Sequence, residues 1–208
     1  MTQILWDVDT QVDFIHAEGK LSFEGADSAL PAMARLVSGA RAAGLVHVAS
    51  ADDHELTDDE ISEDPDWQVT FPPHCLRGTR GAERVAETKQ LDPVPLGLTD
   101  VPEHWLAGRR EFLILKKTFD PFTNPNADRL LELLDPDEVV LFGVATDICD
   151  DAAVNALLDR GRRVAFVQDA ARALDEARGE ACMAAWKARG ARFTTVDEVL
   201  SGLRLQVR

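Results

Sequence analysis

The feature of this sequence that most constrains its fold is an alternation of short apolar runs with longer amphipathic stretches. Most of the short runs are apolar on both faces, as strands of a parallel sheet covered by helices must be. Between the first two runs, apolar residues recur at steps of three and four over residues 30–40, the spacing of one helix face. The predicted strands are Ile4–Val8, Leu45–Ala49, Phe112–Leu115, Val139–Phe142, Val164–Val167 and Arg192–Thr195.

Three of these strands follow a glycine that ends a helical stretch: Gly44, Gly161 and Gly190. Glycine just past a helix end takes the left-handed conformation without steric cost. Repeated helix–glycine–strand joints indicate βαβ units with right-handed crossovers. The sequence therefore predicts a doubly wound α/β fold. A chain of 208 residues without a fixed-period repeat or a linker is expected to form one domain over residues 1–208.

Composition excludes several classes of function. Acidic residues outnumber basic ones 37 to 22, for a net charge of -15, which argues against binding to nucleic acid or to an anionic membrane. No apolar run approaches the roughly 18 residues that span a bilayer, and the first residues lack the basic region of a signal peptide. The cysteines are few and odd in number, which favours free thiols in a reducing cytoplasm: Cys75, Cys149 and Cys182.

Polar residues directly follow four of the predicted strands. Ligands of open α/β sheets bind outside the carboxyl ends of the strands, so these residues are candidates for a site. The four strand ends bring carboxylates, an imidazole, an ammonium and a thiol to one edge of the sheet. They are Asp7 to Phe14, Asp52 to His54, Lys116 with Lys117, and Gly143 to Cys149.

Each candidate also has a plain structural interpretation. Cys149 lies where a helix should begin, and a thiol there beside a lysine has a lowered pKa and can act as a nucleophile, although most free cysteines are small buried hydrophobes. Asp7 and Asp9 share a face if strand alternation holds, so this pattern does not choose between them. Lys116 and Lys117 point to opposite faces, so one of them can serve the site and the other reaches solvent.

A second group of residues has the chemistry of a metal site. Asp52 and His54 stand two positions apart at a strand end, and His74 follows about twenty residues later. One carboxylate and two imidazoles suit zinc, iron or manganese, with open positions for water or substrate. The surrounding acidic run from Asp52 to Asp66 is interpreted mainly as a solvated face.

Together these residues resemble the isochorismatase-like cysteine hydrolases, and within them the nicotinamidase/pyrazinamidase group. The resemblance extends from Ile4 to about Ala170, with its motifs in the family's order. The matching motifs are Asp9-Thr10-Gln11-Val12-Asp13-Phe14, Asp52-Asp53-His54, Pro72-Pro73-His74-Cys75 with Gly78-Thr79-Arg80-Gly81, Lys116 with Phe119 and Phe122, and the loop Gly143 to Cys149.

The resemblance implies a mostly parallel six-stranded sheet with helices on both faces. It also implies a catalytic triad of Asp9, Lys116 and Cys149, which selects Asp9 over Asp7. A cis peptide between Val144 and Ala145 is expected, and the amides of Ala145 and Cys149 would form the oxyanion hole. By their places in the motifs, Phe14 and Phe71 would pack against the ring of the substrate. Asp52, His54 and His74 would be the metal ligands.

The activity implied by the resemblance is hydrolysis of a carboxamide, nicotinamide to nicotinate and ammonia, through a thioester on Cys149. In nicotinamidases a divalent metal, here expected to be zinc with iron or manganese also suitable, holds the pyridine nitrogen. The substrate is a small-molecule amide, and the family's habit predicts a homo-oligomer. A fourth metal ligand is left open among Glu60, Glu63, Asp64 and water.

Several departures from the family pattern lie along the expected pocket and leave the substrate open. Phe71 stands where many nicotinamidases carry Trp, Asp53 separates the metal Asp and His where Trp often stands, and Ile148 replaces a frequent aromatic. The remaining possibilities are an amidase for aliphatic or ureido amides, an isochorismatase, and a non-catalytic binding subunit. Intact Asp9, Lys116 and Cys149 argue against the last.

Overall fold

The computed structural model of the protein describes residues 2–206. Seven β-strands and six α-helices lie within these residues. The strands are β1 (Gln3–Val8), β2 (Val46–Asp52), β3 (Val94–Leu96), β4 (Glu111–Lys116), β5 (Glu138–Val144), β6 (Arg163–Arg172) and β7 (Arg192–Thr194). The helices are α1 (Val12–Ile15), α2 (Leu30–Ala42), α3 (Pro125–Leu134), α4 (Cys149–Asp159), α5 (Glu176–Ala188) and α6 (Val196–Gln206).

The strands form one parallel sheet in the order β3-β4-β2-β1-β5-β6-β7. The chain builds outward from β1 to one side and then returns to build the other side from β5. Strand order therefore reverses at β1, and the crevice outside the carboxyl ends at such a point is where open α/β sheets bind ligands.

Two apolar layers cover the sheet, one on each face. On one face, strand residues such as Trp6, Phe112 and Phe166 pack with residues of α3, α4 and α5. On the other, Leu5 and Phe142 pack with residues of α2 and α6. Both faces are buried because the crossover helices alternate sides, which explains why the strands are apolar at nearly every position.

The predicted α/β fold with helices on both faces of a parallel sheet is confirmed, but the number of strands was wrong. All six predicted strands are present, with ends that differ by up to five residues, and β3 is a seventh. It spans Val94 to Leu96 and pairs with β4 at the edge of the sheet. A three-residue strand with Pro95 at its centre has too little periodicity to be recognised, and proline is tolerated at a sheet edge.

Between β2 and β4 the chain makes a long excursion over residues 53–110, interrupted by β3 and by short 3-10 turns such as Arg80–Ala82. Two parallel bridges, His54 with Leu76 and Ile61 with Phe71, close it on itself, and an antiparallel bridge between Gln11 and Arg84 ties it to the segment after β1. The excursion lies against the carboxyl edge of the sheet and carries part of the site described below. No helix in the described part of the chain is long and apolar enough to cross a membrane.

Candidate active site

Four residues meet at the carboxyl edge of the sheet because parallel strands end there together. Asp9 follows β1, Asp52 and Lys116 are the last residues of β2 and β4, and Cys149 begins α4 just beyond β5. The register pairs Asp52 with Lys116 directly. All four side chains are buried, so the strand ends place two carboxylates, an ammonium and a thiol in a largely dry environment.

Lys116 is the centre of this group. Its Nζ lies 2.8 Å from Asp9 Oδ2 and 3.9 Å from Cys149 Sγ, and it also donates to Asp52 Oδ1. The other oxygen of Asp9 accepts a hydrogen bond of 2.7 Å from Ser50 Oγ. A single ammonium therefore contacts both carboxylates and the thiol. The structure brings Asp9, Lys116 and Cys149 together, and the contact of Lys116 with Asp52 was not predicted from the sequence.

The charge states follow from burial and from these contacts. Burial by itself would lower the pKa of Lys116, but Asp52 and Asp9 outweigh it and hold that pKa well above its ordinary value. Burial raises the pKa of Asp9, partly offset by Lys116. Burial likewise raises the pKa of the Cys149 thiol, against the opposing charge of Lys116 and with the help of Asp9. The lowered thiol pKa expected from the position of Cys149 is therefore wrong, because burial outweighs Lys116, and Cys149 is a resting thiol beside a carboxylate able to accept its proton.

Asp7 belongs to a different network, which corrects the prediction that it shares a face with Asp9. Asp7 pairs with Arg84, accepts from Thr10 Oγ1 at 2.9 Å and lies 3.5 Å from His47 Nε2. Asp9 instead contacts Ser50. His47 and Ser50 are three positions apart on β2, so their side chains lie on opposite faces of the sheet, and so do the two aspartates that contact them. Asp9 lies beyond the end of β1 and has φ +50°, so the alternation of a strand does not extend to it.

The loop between β5 and α4 carries the expected backbone features. The peptide bond between Val144 and Ala145 is cis, as the family pattern indicated. Within residues 2–206 the amide N–H groups of Ala145 and Cys149 have no protein acceptor, while the neighbouring amides of Ile148 and Asp150 both donate to Ala145 O. The first N–H groups of a helix have no intrahelical partner and are therefore free to bind an oxyanion.

A second cluster lies beside Asp52 and has the composition of a metal site. The ligand atoms of Asp52, His54, Glu60 and His74 all lie within 4.8 Å of one another, and all four residues are buried. Asp52 Oδ2 is 3.8 Å from His54 Nε2 and 3.7 Å from His74 Nε2. Tetrahedral ligands about 2.1 Å from zinc are roughly 3.4 Å apart, so a small contraction would close the group on a divalent ion.

Contacts around the two imidazoles support this interpretation. His54 Nε2 is buried with no hydrogen-bond partner among the described residues, an orphaned atom that a cation would satisfy. His54 Nδ1 faces Asp58 Oδ2 at 3.2 Å, and His74 Nδ1 faces Pro72 O at 2.8 Å. Such outer partners fix the ring so that Nε2 presents its lone pair. Lys117, whose Nζ is 2.7 Å from Asp58 Oδ2, holds that carboxylate in place.

The fourth member of the group is Glu60, one of the three acidic residues among which the sequence did not choose. Glu60 Oε1 lies 3.9 Å from His54 Nε2 and 3.8 Å from His74 Nε2. Burial and the nearby charge of Asp52 raise the pKa of Glu60 to about 7. Glu63 and Asp64 are exposed and lie outside the cluster.

Asp52 joins the two clusters. One of its oxygens accepts from Lys116, and the other faces the two imidazoles. Burial would raise the pKa of Asp52, but Lys116 and the imidazoles outweigh it, so this pKa lies well below its ordinary value. Asp52 is therefore a carboxylate that both a cation and the Lys116 ammonium can share.

Two further residues of the first motif position these groups, and sequence reasoning missed them. Gln11 Nε2 donates to Asp52 O at 2.8 Å, and Asp52 N donates to Gln11 Oε1 at 2.7 Å. Asp13 Oδ2 accepts from Cys75 N at 2.7 Å, which fixes the backbone next to His74. Gly81 is required there because a Cβ on it would lie 2.1 Å from Asp13 Oδ2. The position of Gln11 and Asp13 in the same short motif as Asp9 was the sequence feature that could have indicated their role.

A cavity of about 190 Å³ opens onto both clusters. Phe14 and Phe71 line it, where they were predicted, and each ring lies close to His74, with centroid distances of 5.6 Å and 6.3 Å. Several other lining residues were not predicted to contact substrate. Most of them come from loops without a motif, and Phe119 was noted only for its spacing from Lys116. They are Lys20, Leu21, Ser22, Phe23, Trp67, Phe119 and Leu174.

Asp150, directly after Cys149, is a buried carboxyl without a clear partner. It is fully buried, and neither of its oxygens finds a hydrogen-bond partner of ordinary geometry in the described chain. Burial and the charges of Asp9 and Asp7 raise its pKa well above the ordinary value, and the nearby Thr146 hydroxyl offsets only part of this. Asp150 therefore holds its proton to a higher pH than an ordinary carboxyl.

Comparisons with known proteins agree with this fold. The family model described as the isochorismatase domain matches residues 101–198. The nicotinamidase/pyrazinamidase of Mycobacterium tuberculosis (strain ATCC 25618 / H37Rv) is 32% identical over 161 residues, which cover 74% of this chain and 80% of that protein.

Two solved structures show how far the fold is shared. The N-carbamoylsarcosine amidase of Thermoplasma acidophilum is 25% identical with a TM-score of 0.73, covering 95% of this chain and 98% of that one. The pyrazinamidase of Pyrococcus horikoshii, solved in complex with zinc, is 23% identical with a TM-score of 0.73, covering 94% of this chain and 99% of that one.

The fold and the relatives together define a hydrolase built on a parallel sheet with helices on both faces. The chain belongs to the isochorismatase family, in its nicotinamidase/pyrazinamidase group.

Proposed function

We propose that the protein is a metal-containing amide hydrolase of the nicotinamidase type, with Cys149 as nucleophile. The observation that carries this proposal is the position of Lys116, whose ammonium contacts Asp9 and approaches Cys149 Sγ at the end of the cavity. A buried cation held by two carboxylates adds little to the stability of the fold, because apolar residues of similar volume would stabilise the protein as well or better. Beside a thiol, it stabilises the anion that forms on attack.

The first half of the reaction acylates the cysteine. Asp9 takes the proton from Cys149 Sγ, and the thiolate attacks the carboxamide carbon, while Lys116 stabilises the negative charge. The N–H groups of Ala145 and Cys149 donate to the oxygen of the tetrahedral intermediate. Asp9 then returns the proton to the nitrogen, and the C–N bond breaks. Ammonia departs, and the acyl group stays on Cys149 as a thioester.

The second half releases the acid. Water attacks the thioester carbon, with Asp9 accepting its proton. The bond between Sγ and carbon then breaks, and Asp9 returns the proton to Sγ, which restores the Cys149 thiol. The net reaction consumes one water and yields a carboxylate and ammonium. This chemistry requires a reduced thiol, in keeping with the cytoplasmic location that the composition predicts.

Asp52, His54, Glu60 and His74 would hold the divalent cation, for which zinc is proposed. When bound, the cation supplies a Lewis acid that fixes a donor atom of the substrate. The residues themselves keep their roles without it: Asp58 and Pro72 orient the imidazoles, and Asp52 holds Lys116.

Ammonia release from nicotinamide, pyrazinamide and simple aliphatic amides tests the proposal. The Cys149→Ala variant should release no ammonia above background yet bind metal as the wild type does, because the ligand set excludes Cys149. Cys182→Ala is the matched control, since Cys182 is a free thiol on α5 outside the cavity, and it should keep full activity. Ammonia release by Cys149→Ala would rule out the mechanism.

A second candidate is hydrolysis of an aliphatic or ureido amide. The structural likeness to an N-carbamoylsarcosine amidase favours it, as does Ile148 in the cavity wall, which offers no ring to stack on a pyridine. Metal-replete protein that cleaves aliphatic amides but leaves nicotinamide untouched would select this second candidate.

A further inference from the structure

One residue of the cavity wall differs in charge from the others. The walls are mainly apolar, and the acidic lining residues, Asp52 and Glu60, belong to the metal-type cluster. Lys20 is the one Lys or Arg among the described residues that line the cavity. In a chain of net charge -15, a cation at this place does not follow from general basicity.

Lys20 is also unpaired, unlike the other cations around the site. Arg77, Arg84 and Lys117 each contact a carboxylate within 4.0 Å. Within residues 2–206 no carboxylate lies within that distance of Lys20 Nζ, and the side chain is exposed. Its ammonium is therefore free to pair with a group that enters the cavity.

The backbone of Lys20 is fixed although its side chain is free. Lys20 N donates to Asp13 Oδ1 at 3.0 Å, and Leu21 N donates to Asp13 O at 3.0 Å. The second oxygen of the same buried carboxylate accepts from Cys75 N, next to His74. One carboxylate thus holds the Lys20 loop at a set position relative to the metal-type cluster.

We propose that Lys20 is a specificity residue and that the substrate is an amide with a carboxylate at the end remote from the carboxamide. The inference rests on the proposed amide hydrolysis at Cys149. The carboxamide meets Cys149, an apolar middle packs against walls such as Phe14 and Phe119, and the carboxylate reaches Lys20 on the solvent side. Hydrolysis then breaks the C–N bond, adds water and releases a dicarboxylate and ammonium.

Matched pairs of acids and esters test this assignment. The substrates are the monoamides of linear dicarboxylic acids from succinamate to suberamate and 3-carbamoylbenzoate, each with its methyl ester, assayed by ammonia release with metal-replete full-length protein. For at least one pair the acid should exceed its ester in kcat/KM by about tenfold. Lys20→Gln should lower kcat/KM for that acid by about three- to tenfold, through KM, and leave the ester unchanged.

Two variants serve as controls. Lys187→Gln removes the same charge from an exposed lysine on α5, outside the cavity, and should change neither substrate. Lys20→Arg should keep the preference for the acid. Equal rates on acid and ester in the wild type would overturn the inference, and so would an equal loss on both in Lys20→Gln, which would indicate a structural role.

A binding measurement separates this inference from the proposed function. Calorimetry with the Cys149→Ala protein should show tighter binding of the acid than of the ester, and the added Lys20→Gln change should abolish the difference. If no amide is cleaved by the wild type, the proposed hydrolysis fails, and this measurement still decides the role of Lys20. Equal affinities for acid and ester would reject that role.

Discussion

Two regions of the molecule meet at Asp52 and differ in what holds them in place. The strand-end group of Asp9, Lys116 and Cys149 lies at or just beyond the carboxyl ends of β1, β4 and β5, which the register of the sheet brings to one edge. The metal-type ligands His54, Glu60 and His74 lie on the excursion over residues 53–110, held by a few bridges and by carboxylates such as Asp13 and Asp58.

The difference shows how support matches chemistry. Bond formation at a thiol depends on atoms held to within about half an ångström, which packed strands provide. A metal site can instead be drawn together by its own ion, so less regular segments can carry it. The strand-end group should therefore survive changes in the excursion, while the ligand set should depend on both.

The largest expected effect comes from removing the shared ammonium. Lys116→Met leaves Asp9 and Asp52 as buried carboxylates without their cation, so we expect a loss of about 3–5 kcal/mol in the free energy of unfolding. Activity should fall by at least about a thousandfold, because the same cation stabilises the attacking thiolate. Urea unfolding and ammonia release measure the two effects.

Lys117→Met is the matched control on the neighbouring residue. It removes a partly buried contact with Asp58 and should cost about 1 kcal/mol of stability or less. A Lys116→Met protein as stable as Lys117→Met would contradict the central role assigned to Lys116.

Removal of the metal should separate the two regions. With a chelator, backbone amides near His54 and His74 should exchange hydrogen faster, while those of β1, β2 and β4 should stay protected, since sheet hydrogen bonds hold them. Hydrogen exchange with mass spectrometry resolves the segments. Equal loss of protection in the strands would mean that the ion supports the whole carboxyl edge.

A smaller effect is expected from the carboxylate that orients His54. Asp58→Ala frees His54 Nδ1 and should weaken metal affinity by about 10–100-fold, as outer-shell changes commonly do. Metal titration with a competing chelator measures the affinity. Alkylation of Cys149 by iodoacetamide should proceed at the wild-type rate, and a changed rate would show that the excursion controls the strand-end group.

An effect on stability that appears only as pH changes is expected at Asp150, whose pKa is raised in the folded state by burial and by Asp9 and Asp7. In the unfolded chain this carboxyl ionises from about pH 4 upward while the folded protein keeps it protonated, so stability is lost as pH rises above that value. Asp150→Asn removes this loss. Its gain in the free energy of unfolding should be larger at pH 8 than at pH 5, by about 1.4 kcal/mol for each pH unit over which the folded carboxyl stays protonated. Urea unfolding at the two pH values measures the gain, and a gain independent of pH would contradict the assignment.

The sequence was most informative where position in the chain fixes position in space. Strand periodicity placed Asp9, Asp52, Lys116 and Cys149 at strand ends, and parallel strands bring such ends to one edge. It failed where local rules change: Asp9 takes a left-handed conformation that ends the alternation, and the strand with Pro95 at its centre is too short to recognise.

By itself, the sequence determined the parallel α/β architecture and the residue types available at its carboxyl edge, because both follow from the periodicity of apolar residues. Only the tertiary structure decided that Glu60 completes the metal-type cluster, that Asp52 joins it to Lys116, and that Lys20 lines the cavity. These contacts join segments far apart in the chain. Their geometry depends on how the excursion packs against the sheet, which no local pattern encodes.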